Sequence, residues 1–380
     1  MRYAVTGGGT GGHVYPVLAV VAALEAPPYS VPRDYIRYLG TRGRAEESLA
    51  LRAGLSFTAV RAGAVQGRSP LGLLQSGFSI LRGMAQAWAA LGHPRPRAIL
   101  ATGGYVSVPV VLAGWLRGIP TLLYLPDVEP GLAVRFLSRV ATKVAVTTSS
   151  PSPSLPPNKS VVTGYPVRPG FDQGDQAAAQ QRFSLDPASK TLLVWGGSQG
   201  AHSINQEIAR HLPQLLAQSQ VVHICGDDDA SWLTDQRDRL VERLRDRYHL
   251  YPYLYDGVAD LMAAADLAVS RAGASVLGEF TVAGLPSVLV PYPYAGAHQR
   301  HNAAYLAEAG AAVMLPEAHL SELVPLVIDL LKDEARLESM ARRAKALARP
   351  EAASKMAELL VSLAGCPAGA PRREERAHAR

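Results

Sequence analysis

Arg2-Tyr3-Ala4-Val5-Thr6-Gly7-Gly8-Gly9-Thr10-Gly11-Gly12-His13 is the stretch that decides the fold. A short apolar run stops at glycine, and a helical apolar pattern follows over residues 14–25, with Pro16 expected in the first turn. Strand, glycine loop and helix in that order open a parallel α/β unit. Outward from it, strands are expected at 35–39, 98–101, 120–125 and 143–147, with helices at 44–53, 108–116 and 131–138. The pattern then restarts. Leu192-Leu193-Val194-Trp195 runs into Gly196-Gly197-Ser198-Gln199-Gly200-Ala201, and strands are expected at 221–225, 251–254, 267–270 and 287–290. Two similar parallel-sheet domains follow from this repetition. The boundary falls near Tyr165–Gly170, where Pro166, Pro169 and Gly170 interrupt regular structure.

The chain has 380 residues, which suits two or three domains at roughly 100–200 residues each. With 48 % hydrophobic and 18 % charged residues it is neither disordered nor fibrous. Its apolar runs, such as 14–24, fall short of the roughly 18 residues a membrane span needs. The start runs straight into glycines, so no signal peptide is expected. Cys225 and Cys366 stand far apart, which suggests neither a disulfide framework nor a zinc site, and a reducing cytoplasm is expected. Residues 1–160 carry 16 Lys and Arg against 6 Asp and Glu, whereas residues 161–380 carry 22 against 26. The basic half suits nucleic acid, an anionic membrane or a phosphorylated substrate, or is simply a solvated face. Segment 71–91 is apolar and aromatic, with Phe78, Met84 and Trp88, and Arg68, Arg82, Arg95 and Arg97 surround it. It reads as a core helix, with an interfacial amphipathic element as the alternative. The charged tail 365–380 reads as disordered.

Glycines allow a backbone to approach a ligand closely, and a helix N-terminus behind them favours anions. The first loop lacks the Lys of a nucleotide-triphosphate loop, since His13 stands there. Gly7, Gly9 and Gly12 formally match a dinucleotide fingerprint, but Leu39-Gly40-Thr41-Arg42-Gly43 carries no acid where one is expected. A third reading is a pyrophosphate cradle with His13 as general base. The second loop offers amides and a hydroxyl to a diphosphate. Segment 271–279 opens another helix after a strand, with Glu279 placed to accept paired hydroxyls about two turns in. Ala297-His298-Gln299-Arg300-His301-Asn302 carries donors and acceptors suited to sugar hydroxyls.

Taken in order, Gly8–Gly12-His13, Gly103-Gly104-Tyr105-Val106-Ser107, Gly196–Ala201, segment 271–279 and His298-Gln299 with Asn302-Ala303 make the chain resemble the MurG family of bacterial glycosyltransferases, over residues 1–363. The resemblance implies a GT-B fold, two Rossmann-like domains facing across a cleft: residues 1–166 for acceptor and membrane, 167–345 for UDP-sugar. It implies that a C-terminal helix, 346–364, packs back toward the first domain. It implies inverting transfer of N-acetylglucosamine from UDP-N-acetylglucosamine to lipid I, with no cofactor, metal or nucleic acid, at the cytoplasmic face of the membrane. The catalytic candidates are His13 and then Asp127. Thr10, Gly11, Gly12, Gly104 and Tyr105 would hold the acceptor. Arg168, Ser198, Gln199, Tyr255, Ala274, Ser275, Glu279, His298, Gln299 and Asn302 would hold the donor. The sequence departs from the family where His-Glu-Gln-Asn is common, because Tyr124-Leu125-Pro126-Asp127 stands there. Ala272 and Val276 also replace residues that are often polar. A glycolipid synthase with another lipid acceptor, and a UDP-sugar-binding protein without turnover, are the competing expectations.

Overall fold

Strands buried on both faces must read as continuous apolar runs, and Tyr3–Thr6, Ala98–Ala101 and Thr121–Leu125 are buried along their whole length. The computed structural model describes residues 2–9, 11–63, 70–149, 152–197, 200–254, 256–293 and 298–365, and of residues 70–77 the backbone alone. The tail 366–380 therefore lies outside the described residues, as do Thr10, Ser198, Gln199 and Tyr255.

The chain divides into two units. The first contains β1 (Tyr3–Thr6), α1 (Gly11–Glu25), β2 (Ile36–Gly40), α2 (Ala45–Arg52), β3 (Ser56–Ala59) and α3 (Pro70–Ala90). It continues through β4 (Ala98–Ala101), α4 (Ser107–Leu116), β5 (Thr121–Leu125), α5 (Leu132–Leu137), β6 (Lys143–Val146) and β7 (Ser160–Val162). All seven strands are parallel, in the order β3-β2-β1-β4-β5-β6-β7. Thr6 of β1 is level with Ala101 of β4.

The second unit contains α6 (Gln176–Arg182), β8 (Thr191–Trp195), α7 (His202–Arg210), α8 (Leu212–Leu216), β9 (Gln220–Ile224), α9 (Asp227–Asp238), α10 (Glu242–Arg245) and β10 (Tyr248–Tyr251). It continues through α11 (Val258–Ala264), β11 (Leu267–Ser270), α12 (Glu279–Ala283), β12 (Ser287–Leu289), α13 (His298–Glu308), β13 (Ala312–Met314), α14 (Leu323–Lys332) and α15 (Glu334–Leu347). Its six parallel strands run β10-β9-β8-β11-β12-β13, with Trp195 level with Ser270. Residues 127–129, although they follow β5, group with this second unit. The last helix, α16 (Ala352–Leu363), groups with the first. Its stripe Ala352, Met356, Ala357 and Leu360 is wholly buried, and the helix lies against α1, β4 and β5.

Three local differences from the sequence reading have physical causes. Helix α1 begins at Gly11, so Pro16 is its sixth residue rather than a first-turn residue. Pro16 has no N–H for the Gly12 carbonyl, and the Tyr165 hydroxyl donates to that carbonyl instead, at 3.4 Å. Strand β10 spans Tyr248–Tyr251, earlier than expected, and Pro252 follows it. Segment 71–91 is not wholly a core element. Ala87 and Leu91 are buried, but Phe78 and Leu81 are 67 % and 65 % exposed.

In the second unit a buried polar chain ties α7 to the sheet. Asn205 of α7 donates to the Cys225 carbonyl and to Asp229, at 2.8 and 2.6 Å. Its side-chain oxygen lies 2.9 Å from His223 Nε2, and His223 Nδ1 lies 2.9 Å from the Tyr248 hydroxyl. Burial pushes the His223 imidazole down to about 3, outweighing the upward pull of Asp229. The folded protein thus keeps His223 neutral where the unfolded chain, titrating near 6.5, takes up a proton. Its contribution is complete above about pH 6.5 and is lost as pH falls toward 3, by up to about 1.4 kcal/mol per pH unit. His223→Gln is expected to flatten the loss of stability to urea between pH 6.5 and pH 5. His249, also pushed down by burial, keeps its own share of the slope. An unchanged slope in the variant would contradict this assignment.

Candidate active site

Strand order reverses at β1/β4 in the first unit and at β8/β11 in the second. At such a point the crossovers on either side diverge, leaving a crevice beyond the carboxyl ends of the strands. Each of the four strands bordering these points runs into a motif singled out from the sequence. β1 leads to residues 7–13 and β4 to 102–107; β8 leads to 196–201 and β11 to 271–279.

In the first unit the two loops are in contact. A Cβ on Gly104, whose φ is +78°, would lie 2.2 Å from the Gly8 carbonyl oxygen, so only glycine allows this approach. A Cβ on Gly103 would lie 3.0 Å from His13 Cε1. His13 is half-buried, and its Nδ1 lies 2.7 Å from the Thr102 carbonyl oxygen. A carbonyl only accepts, so Nδ1 carries the proton and Nε2 of the neutral ring presents its lone pair. Thr102 returns the contact, its hydroxyl donating to the His13 carbonyl at 2.6 Å. The imidazole is thereby fixed in both tautomer and orientation. Behind it, the amides of Gly11, Gly12 and His13 belong to the first turn of α1, where intrahelical acceptors are lacking. Tyr105 is exposed at the start of the α4 approach. The Arg168 guanidinium lies 4.4 Å from the Tyr15 ring centroid on α1, so Arg168 belongs to the first unit.

In the second unit Gly197 and Gly200 take φ of +86° and +72°, and a Cβ on Gly200 would lie 2.5 Å from the Cys225 carbonyl oxygen. The loop delivers the chain to α7, whose first turn is braced on two sides. His202 Nδ1 donates to Asp229 at 2.6 Å, and the Trp232 indole donates to the same carboxylate at 2.7 Å. Burial pushes the Asp229 carboxyl up, but donors from Trp232, His202 and Asn205 prevail and hold it below its ordinary range. On the other side Arg271 donates to Glu317 and, at 2.8 Å, to Ser203, while Ser203 donates to Glu317. Burial raises Glu317 likewise, and the Arg271 and Ser203 donors more than offset it.

Segment 271–279 does not form one helix. Ala274–Leu277 is a 3-10 turn, and Glu279 is the first residue of α12 rather than two turns in. Glu279 is buried, as is Ala274 five residues earlier, and Ser275 is half-buried. On α13, Asn302 is fully buried and donates to the Ala272 carbonyl at 3.0 Å and to Asp127 at 2.8 Å, while the Val128 amide donates to its side-chain oxygen at 3.0 Å. His298 Nδ1 lies 3.2 Å from the Glu129 carbonyl oxygen, and the Tyr292 amide donates to Gln299. Asp127 is thus grouped with α13 in the second unit. Tyr124 is wholly buried in β5, its hydroxyl 2.7 Å from that of Thr147, so it is a core residue. Among the described residues no cluster of three His, Cys, Asp or Glu side chains is placed to hold a metal ion.

Sequence reasoning missed Thr102, Asp229, the Glu317 brace and Glu46. Glu46 lies under the first loop, 1 % exposed, and accepts from the Gly9 and Thr41 amides. In sequence it is one of two adjacent glutamates at a helix start, which usually marks a solvated face.

Comparison with known proteins agrees with this geometry. The N-terminal domain model of glycosyltransferase family 28 matches residues 3–146, and the C-terminal domain model matches residues 191–356. A relative from Roseiflexus sp. (strain RS-1) is 41 % identical across 96 % of this chain and 95 % of its own. One from Salinibacter ruber is 38 % identical across 95 % and 96 %. Both are named UDP-N-acetylglucosamine–N-acetylmuramyl-(pentapeptide) pyrophosphoryl-undecaprenol N-acetylglucosamine transferase. The crystal structure of MurG from Acinetobacter baumannii aligns with a TM-score of 0.70 at 26 % identity, covering 95 % of this chain and all of that one. Each unit is a Rossmann-like parallel sheet of the GT-B class, and the chain belongs to glycosyltransferase family 28.

Proposed function

We propose that this chain is an inverting glycosyltransferase that moves N-acetylglucosamine from UDP-N-acetylglucosamine to lipid I, forming lipid II in peptidoglycan synthesis. The observation that carries the reading is the placement of a glycine loop and a second motif at both strand-order reversals, in a chain 41 % identical to a relative named for this transfer. Two diphosphates take part in the reaction, and each unit offers one anion-binding helix N-terminus behind a glycine loop.

The first unit takes the acceptor diphosphate at Gly11, Gly12 and Gly104, with Thr10 and Tyr105 beside them. The second takes UDP: Ser198, Gln199 and the α7 N-terminus at the diphosphate, Glu279 at the ribose, Tyr255, Ala274 and Ser275 nearby, and His298, Gln299 and Asn302 at the sugar. Arg168 remains a donor candidate at the junction in sequence. The acceptor hydroxyl attacks the anomeric carbon, and its proton passes to His13 Nε2. The bond from that carbon to the β-phosphate oxygen breaks, and its electron pair leaves with UDP. The amide dipoles of the second loop stabilise the charge that grows there. Asp127, which accepts from Asn302 through one oxygen, is the second candidate for the base.

One observation favours a second reading, a related enzyme with a different lipid acceptor. Tyr124-Leu125-Pro126-Asp127 stands where His-Glu-Gln-Asn is common in the family, and Tyr124 is buried in the core. Incubation with UDP-N-acetylglucosamine and a soluble lipid I analogue, with products read by mass spectrometry, separates the two. A disaccharide product is expected, and His13→Ala is expected to lower kcat by about 10²–10⁴. Transfer only to other lipids would support the second reading, and a loss below about tenfold in the variant would remove His13 as base.

The chain is also proposed to work on the cytoplasmic membrane surface. No helix among the described residues is long and apolar enough to cross a membrane. Phe78, Leu81 and Trp88 instead lie on one exposed stripe of α3, and Trp115 and Leu116 are exposed on the neighbouring α4. Arg117 stacks 4.0 Å from the Trp88 ring centroid, and Arg82 is exposed on the same helix. Apolar side chains among arginines suit insertion into an anionic interface. Phe78→Ser with Leu81→Ser is expected to reduce sedimentation with anionic vesicles at least about tenfold, since each buried apolar side chain is worth roughly 1.5–3 kcal/mol. Unchanged sedimentation would refute this face.

A further inference from the structure

We propose that Glu46 is a positioning residue for the acceptor-diphosphate loop, which rests on the functional reading above and names a part of that site. Its carboxylate is 1 % exposed and lies beneath the loop. One oxygen accepts from the Gly9 amide at 3.3 Å, and the other accepts from the Thr41 amide at 3.2 Å. The two amides meet different oxygens, and a carboxamide would set its NH2 donor against one of them. Glu46 stands in the first turn of α2, where the helix dipole favours a negative charge.

The surrounding glycines are fitted to this carboxylate. A Cβ on Gly8 would lie 2.6 Å from Glu46 Oε1, and a Cβ on Gly40 would lie 3.0 Å from its Cγ. Gly9 takes φ of +95°, which turns the chain above the carboxylate. Tyr38 adds a second anchor, its hydroxyl donating to the Gly7 carbonyl at 2.6 Å. Glu46 therefore withdraws the Gly9 amide from the ligand side. It holds residues 8 and 9 against the exit of β2 and leaves the first-turn amides of α1, from Gly11 to His13, as the anion donors. An internal anion that holds one end of the loop fixes where the external anion binds.

The test is steady-state kinetics of the full chain with UDP-N-acetylglucosamine and the lipid I analogue. Glu46→Gln is expected to raise KM for the analogue about tenfold, the order of one charge-assisted hydrogen bond, and to leave KM for UDP-N-acetylglucosamine within twofold. Glu46→Asp, which keeps the charge but shortens the reach, is expected to fall between the two. Gly8→Ala should raise the same acceptor KM in the wild-type background and add less in Glu46→Ala, because its Cβ meets the carboxylate at 2.6 Å and Val106 only at 3.1 Å. An acceptor KM unchanged in Glu46→Gln, an equal rise in both KM values, or independent effects of the two sites would overturn the proposal. Absence of transfer by the wild-type chain would instead count against the functional reading. In that case hydrogen exchange at the Gly9 amide decides, since Glu46→Gln must speed it if the carboxylate holds the loop.

Discussion

In a parallel sheet each strand is reached by a crossover, and crossovers on opposite faces diverge where strand order reverses. That constraint places backbone amides, which need partners, around a space no strand fills. In this chain it operates twice, at β1/β4 and at β8/β11. The glycines of both loops exist to satisfy it. Gly104 passes 2.2 Å, measured from a notional Cβ, from the Gly8 carbonyl, and Gly200 does the same against Cys225 at 2.5 Å. The chemistry assigned to each unit depends on this shared geometry rather than on any one side chain.

What holds the two loops differs between the units. The first loop is held from within by His13, Thr102, Tyr38 and Glu46, all through backbone partners. The second is held through its helix, with Asp229 on one side of α7 and the Arg271–Glu317 pair on the other. One unit thus orients an imidazole, and the other orients a helix N-terminus. The proposed reaction uses that division, with the proton removed from one substrate and negative charge accumulating on the other.

The buried strands and the glycine loops were legible because their residue types leave little choice. Continuous apolar runs followed by glycine have few other uses. The edge strands β3 and β13 were not legible, since Ser56–Ala59 and Ala312–Met314 are short and only partly buried. The start of α1 is hidden in the sequence because Gly11 and Gly12 carry no apolar signal, although the chain is already helical there. Segment 71–91 shows how apolar content and burial can part, with one stripe packed and another exposed. Glu46 and Thr102 act through backbone contacts 37 and 89 residues away in sequence, which no local pattern records. The unusual Tyr124-Leu125-Pro126-Asp127 stretch likewise became intelligible only in three dimensions. Tyr124 joins the core through Thr147, and Asp127 joins Asn302 on α13.

Amide hydrogen exchange tests most directly whether the two reversals serve different substrates. UDP should protect residues 196–205 and 273–280 while leaving 7–14 and 102–106 unchanged, and the lipid I analogue should protect the latter pair alone. Protection of the first unit's loops by UDP, or of the second unit's loops by the lipid, would contradict the account.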